Sequence, residues 1–152
     1  MNIKTITLAA GDIVPALGQG TWYLGDDPAK RAQEVSALRT GMGAGMRLID
    51  TAEMYGDGRS EKLVGEAIAA APREELFLVS KVLPENAGEK HIFQCCDATM
   101  NRMGVDYLDL YLLHWRGSVP LAETVRCLEQ LKELGKIKNW GVSNFDIGDM
   151  EE

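Results

Sequence analysis

Apolar residues along this chain follow two alternating rhythms. Short continuous runs occupy residues 16–18 (running on to Thr21), 46–50, 76–81, 107–114 and 137–143. Runs of that length, rich in branched and aromatic residues, predict strands. Between them the apolar positions recur every three or four residues, the spacing of one helix face. Val35, Leu38 and Met42 form the first stripe, and Val64, Ala67, Ile68 and Ala71 the second. Phe93, Cys96, Met100 and Met103 form the third; Leu121, Val125, Leu128, Leu131 and Leu134 form the fourth and clearest. Asp27-Pro28 offers an N-cap followed by proline at the first helical position, and Ser60 a cap for the second helix. Gly104 and Gly135 stand where left-handed C-caps are expected. Ahead of these units, residues 4–8 and 13–14 flank Gly11-Asp12 and predict a small β-hairpin.

Strands therefore recur about every 30 residues, the length of one βα unit. The second to fourth runs are nearly all apolar, which suits a parallel sheet with covered faces. Two architectures share this pattern: a doubly wound open sheet and a closed (β/α)8 barrel. An open dinucleotide-binding sheet should carry GxGxxG directly after its first strand. The nearest string is Gly18-Gln19-Gly20-Thr21-Trp22-Tyr23, with tyrosine in place of the third glycine, and Gly41, Gly43 and Gly45 precede a strand. That absence demotes the open sheet. The strand ends favour the barrel: Thr21-Trp22, Asp50, Lys81, His114 and Ser143-Asn144 all close apolar runs. In parallel strands these ends share one rim, the C-terminal face where barrel enzymes build their sites. Taken singly, Asp50 could cap a turn, Lys81 could point to solvent and Tyr55 could be a packing aromatic. The recurrence of reactive or polar residues at successive strand ends is harder to dismiss, and the order of the motifs described below is what lifts Asp50, Tyr55, Lys81 and His114 above these readings.

Composition narrows the field without naming a reaction. The 152 residues are 45% hydrophobic and 26% charged, as in a soluble domain with a real core. The formal net charge of -7 argues against nucleic-acid or anionic-membrane partners, and no run is long enough to cross a bilayer. Cys95, Cys96 and Cys127 are odd in number and lack zinc spacing, so reduced thiols in a cytoplasmic protein without a metal site are expected. The start of the chain does not read as a signal peptide. His91, on a helical segment, is expected at the surface.

Four segments together resemble the aldo-keto reductase family. Residues 45–56, Gly45-Met46-Arg47-Leu48-Ile49-Asp50-Thr51-Ala52-Glu53-Met54-Tyr55-Gly56, have the form of its most specific motif. Glu61-Lys62-Leu63-Val64-Gly65, the run 106–114 ending in His114, and Gly141-Val142-Ser143-Asn144-Phe145 follow in the family's order. Met46, Trp140 and Arg116 depart from its usual residues. The resemblance is greatest to bacterial members that reduce small 2-oxoaldehydes such as methylglyoxal.

The resemblance implies an α/β fold: the N-terminal part of a (β/α)8 TIM barrel, ending after the fifth strand, with residues 1–152 as one partial barrel domain. It implies NADPH as cofactor, with NADH also possible, and a small carbonyl compound as substrate. Tyr55 would be the general acid, Lys81 the ammonium that eases loss of its proton, Asp50 the partner of Lys81, and His114 the group that orients the carbonyl. Thr21, Asp50, Ser143 and Asn144 would contact the cofactor; Trp22, His114 and Trp115 would line the substrate pocket, with Tyr23 a further rim residue. A full barrel needs about 250 residues, and the family's grip on the adenosine 2′-phosphate belongs to the part beyond residue 152. Open barrel edges would then invite self-association. A non-catalytic cofactor-binding relative and an inactive truncated piece are the alternative readings.

Overall fold

The computed structural model describes residues 3–152. Strands β1 (Thr5–Thr7) and β2 (Ile13–Pro15) form the antiparallel hairpin, with Thr5 opposite Pro15. Gly11 takes the left-handed conformation (φ +95°) that the tight return requires. A five-stranded parallel sheet follows: β3 (Gln19–Gly20), β4 (Leu48–Asp50), β5 (Phe77–Val82), β6 (Leu108–Leu113) and β7 (Ile137–Val142). The spatial order is β3-β4-β5-β6-β7, so every strand pairs with its neighbours in sequence. Helices α1 (Arg31–Gly43), α2 (Arg59–Ile68), α3 (Ile92–Met103) and α4 (Leu121–Glu133) connect them, and α5 (Ile147–Glu151) follows β7.

The two sheet faces differ in a way that separates barrel from open sheet. Val35, Leu38, Leu63, Val64, Ile92, Met103, Leu128 and Leu131 from α1–α4 pack with Ile49, Leu78, Val82, Tyr111 and Ile137 in one core. The other face carries a small cluster, Val14, Phe77 and Val79, bordered by Leu8, Leu48, Leu110 and Leu112, so the hairpin and not a helix covers it. Helices confined to one face of a sequentially ordered parallel sheet are the outer ring of a (β/α)8 barrel, not the two helical layers of a doubly wound fold.

Several sequence expectations shift at this level. The first strand of the sheet shrinks to Gln19–Gly20, and the Gln19 side chain donates to the carbonyls of Leu38 (3.1 Å) and Met46 (2.9 Å). Asp27 caps a turn ahead of α1, accepting from the Ala29 N–H at 2.9 Å, while the helix itself starts at Arg31. Ser60 lies within α2, and its buried hydroxyl lies within hydrogen-bonding distance of the carbonyls of Thr21 (2.9 Å) and Leu24 (2.5 Å). On α4 the buried face is Thr124, Cys127, Leu128 and Leu131, whereas Val125 and Leu134 are exposed. Gly104 and Gly135 do end their helices in the left-handed region, at φ +67° and +73°.

Behind the sheet, Glu61 is fully buried. Its carboxylate accepts from Ser80 Oγ (2.7 Å), Thr99 Oγ1 (2.9 Å) and Arg102 Nε (2.5 Å), joining α2, β5 and α3. A buried charge is tolerable only when paired and hydrogen-bonded in this way. Glu61→Ala is expected to cost roughly 3–5 kcal/mol, since it strands the Arg102 guanidinium and two hydroxyls. Chemical denaturation measures this, and a loss under about 1 kcal/mol would show that the network contributes little.

Candidate active site

Because the strands are parallel, their C-terminal ends meet at one rim, and the ionisable strand-end residues meet with them. Asp50 ends β4, Lys81 lies in the last turn of pleat of β5, and His114 follows β6. Tyr55 arrives on the tight turn Tyr55–Gly58 just after β4. Gly56, Asp57 and Gly58 are all left-handed there (φ +57°, +53° and +82°), a conformation that favours glycine. A Cβ at Gly56 would come within 2.6 Å of Asp26 Oδ1, the end of an exposed side chain that can move aside, so the backbone conformation is the stronger constraint.

Lys81 is buried, with 6% of its surface exposed. Its ammonium donates to Asp50 Oδ1 at 2.6 Å, to the Thr51 carbonyl at 2.9 Å and to Tyr55 OH at 3.3 Å. An ammonium has three N–H groups, so these three acceptors satisfy it completely. The Tyr55 oxygen accepts from Lys81, which leaves the phenol's own proton free to be given elsewhere. The His114 ring stands edge-on to Tyr55, 75° between planes and 5.8 Å between centroids. Burial first, and then the positive charge of Lys81, push the His114 imidazole below its ordinary value of 6.5, with Asp50 opposing the shift. His114 is therefore neutral at neutral pH, and its Nδ1 is buried without a hydrogen-bond partner among the described residues.

Aromatic rings frame this cluster. Trp22 lies nearly parallel to Tyr55 (6.1 Å, 20°), Tyr23 stacks on Trp22 (4.8 Å, 10°), and Trp115 tilts against His114 (4.8 Å, 54°). At the next strand end the Ser143 N–H donates to the Leu113 carbonyl (2.9 Å). Asn144, left-handed at φ +58°, donates from its amide to the His114 carbonyl (3.0 Å) and to Ser143 Oγ (3.1 Å). The structure thus gathers Asp50, Tyr55, Lys81 and His114, with Trp22, Trp115, Ser143 and Asn144 around them.

The Thr21 side chain is fully buried, and its hydroxyl donates to the Asp50 carbonyl at 3.0 Å. It acts on the site by holding Asp50. Sequence reasoning assigned no part to the Thr51 carbonyl or to Glu53. The Glu53 carboxylate accepts from the Leu83 N–H (2.7 Å) and Asn86 Nδ2 (2.9 Å), fixing the loop after β5. A carboxylate inside a mostly apolar strand-end motif was the available signal. Concavity does not mark this rim: a groove of about 450 Å³ beside Arg73, Leu76, Asn101 and Tyr107 opens where β5 and β6 begin, at the opposite end of the sheet. The ionisable cluster, not the concavity, marks the site.

This chain belongs to the aldo/keto reductase family, whose model matches residues 16–152. It is 56% identical over 152 residues to methylglyoxal reductase YeaE of Escherichia coli, covering 100% of this chain and 53% of that protein. It is 32% identical to an NADH-specific methylglyoxal reductase of the same organism, covering 99% of this chain and 55% of the other. An aldo/keto reductase from Klebsiella pneumoniae, solved with NADP and acetate, superposes with a TM-score of 0.94 at 50% identity, over 99% of this chain and 53% of that one. The chain thus spans about half the length of the relatives it matches.

The depressed His114 titration carries a stability signature. Above pH 6.5 both folded and unfolded imidazoles are neutral and nothing is lost; as pH falls from 6.5 through the lower folded value, only the unfolded chain takes up the proton, and stability declines. NMR titration of the His114 ring is expected to give a midpoint below 6.5, and His114→Asn to remove that part of the acid sensitivity. A midpoint at or above 6.5 contradicts this account.

Proposed function

We propose that this chain carries the proton-donating centre of an NAD(P)H-dependent reductase that converts small aldehydes and ketones, methylglyoxal-like 2-oxoaldehydes among them, to alcohols. The observation that carries the reading is the Lys81 ammonium, bonded at once to Asp50, the Thr51 carbonyl and the Tyr55 oxygen.

The residues present suit a nicotinamide. A carboxamide needs one acceptor and one donor, and Asn144 Oδ1 with the Ser143 hydroxyl can supply both while the Asn144 amide stays tied to His114. NADPH is the cofactor favoured by the NADP seen in the Klebsiella relative, and the NADH-specific relative keeps NADH in play. The cofactor, when bound, supplies hydride to the carbonyl carbon.

What the chain's own groups do follows from their placement. The carbonyl oxygen sits between the Tyr55 hydroxyl and the neutral His114 ring, which fixes its direction by hydrogen bonding. As negative charge grows on that oxygen, Tyr55 gives it the phenolic proton. Lys81 stabilises the charge left on the phenol, and Asp50 keeps Lys81 from drifting toward solvent. Positioned donors of this kind are worth roughly 3–4 kcal/mol each in a transition state. Trp22 and Trp115 give the substrate carbon chain an apolar wall and keep water away.

NADPH oxidation with methylglyoxal tests the proposal. Tyr55→Phe and Lys81→Met are each expected to lower kcat by about 10²–10⁴-fold. Undiminished turnover in Tyr55→Phe removes Tyr55 as the acid and leaves the proposal without its mechanism.

A further inference from the structure

The loop after β3 contains a residue its backbone would not choose. The Leu24 N–H donates to the Thr21 carbonyl at 3.0 Å, closing a four-residue turn over residues 21–24. Tyr23 is the third residue of that turn and has φ +70°. A positive φ at this position is the mark of a type II turn, where glycine is the usual occupant. The turn is held on both sides and cannot relax. Thr21 donates from its N–H to Asp50 (3.1 Å), Ser60 Oγ lies 2.9 Å from the Thr21 carbonyl and 2.5 Å from the Leu24 carbonyl, and the Gly25 N–H donates to Glu34 (2.8 Å).

Burial does not explain the tyrosine, since 66% of its surface is exposed. What its ring touches does. Tyr23 lies flat on the indole of Trp22 (4.8 Å, 10°), and Trp22 in turn runs nearly parallel to Tyr55 (6.1 Å, 20°). Trp22 is itself 59% exposed, so without a ring against its outer face the indole is free to leave that orientation. Strained backbone kept by surrounding bonds is found where a site needs a side chain held in place.

We propose that Tyr23 is a positioning residue that clamps the Trp22 indole beside Tyr55, so that the substrate wall is in place before the carbonyl arrives. Tyr23 sits in a glycine position because its ring is needed there, at the expense of backbone comfort. The inference rests on the carbonyl-reduction reading of the site, and it places the effect of Tyr23 on substrate binding, not on proton transfer.

Three variants separate ring from backbone. Tyr23→Ala and Tyr23→Gly both remove the ring, but only glycine relieves the left-handed φ. In NADPH oxidation with methylglyoxal, both are expected to raise KM about three- to tenfold, with kcat held within about twofold. The glycine variant is expected to melt at a higher temperature than the alanine variant, and Tyr23→Phe to restore KM to within about twofold of the wild type. A KM that recovers together with Tm in Tyr23→Gly, or that moves in neither variant, overturns the proposal. If neither this chain nor one extended to full barrel length reduces a carbonyl, the reading of the site fails, and the indole proton signals of Trp22 then decide the role of Tyr23 separately. Ring-current shifts shared by the wild type and Tyr23→Phe and lost in the other two support the clamp; equal shifts in all four overturn it.

Discussion

A buried ammonium must be surrounded by acceptors or it will be expelled into water or lose its proton. Lys81 meets that demand with one carboxylate, one carbonyl and one phenol, and each of the three comes from the segment 50–55. The end of β4 and the turn after it are therefore folded around a charge carried by the next strand. Thr21 secures the same segment from the other side through the Asp50 carbonyl. The cluster is assembled by satisfying one cation, and the placing of Tyr55 beside Asp50 follows from its hydrogen-bond count.

The reverse side of β5 reinforces this arrangement. Successive residues of a strand point to opposite faces, so Ser80 turns to the helices while Lys81 turns to the rim. Ser80 meets Glu61, which also holds Thr99 and Arg102. Arg102 passes so close to Gly58 that a Cβ there would lie 2.6 Å from its Cδ. Gly58 closes the left-handed turn that begins at Tyr55. One buried carboxylate thus braces both the strand of the ammonium and the turn of the phenol, from behind and without touching either group.

Most of the fold was legible because its signals are periodic. Strand runs, helix stripes and the glycines at 104 and 135 need only local rules, and the recurrence of ionisable residues at strand ends put Asp50, Lys81 and His114 on one rim. What failed was decided by tertiary contact. Ser60 resembles a cap, yet its hydroxyl is claimed by the carbonyls of the loop after β3. Val125 and Leu134 match the spacing of the α4 stripe, but Cys127 and Thr124 face the core instead, shifting the buried face around the helix. That the Thr21 hydroxyl is buried against the Asp50 carbonyl could not be read from spacing either. The same holds for Glu61: a carboxylate in a helix's first turn is normally solvated, and only the convergence of β5 and α3 on it shows otherwise.

The strict neighbour-to-neighbour order of the sheet has a consequence for how the chain comes together. Each new strand docks beside the one made just before it, across a single intervening helix. Among the described residues, each strand of the parallel sheet pairs only with the strand next to it in sequence, so the loops closed between β3 and β7 are short. During synthesis every βα unit finds its docking edge already present as it emerges. Asp50 and Tyr55 precede Lys81 in the chain, and the pairing of β5 with β4 is what brings the ammonium to both of them.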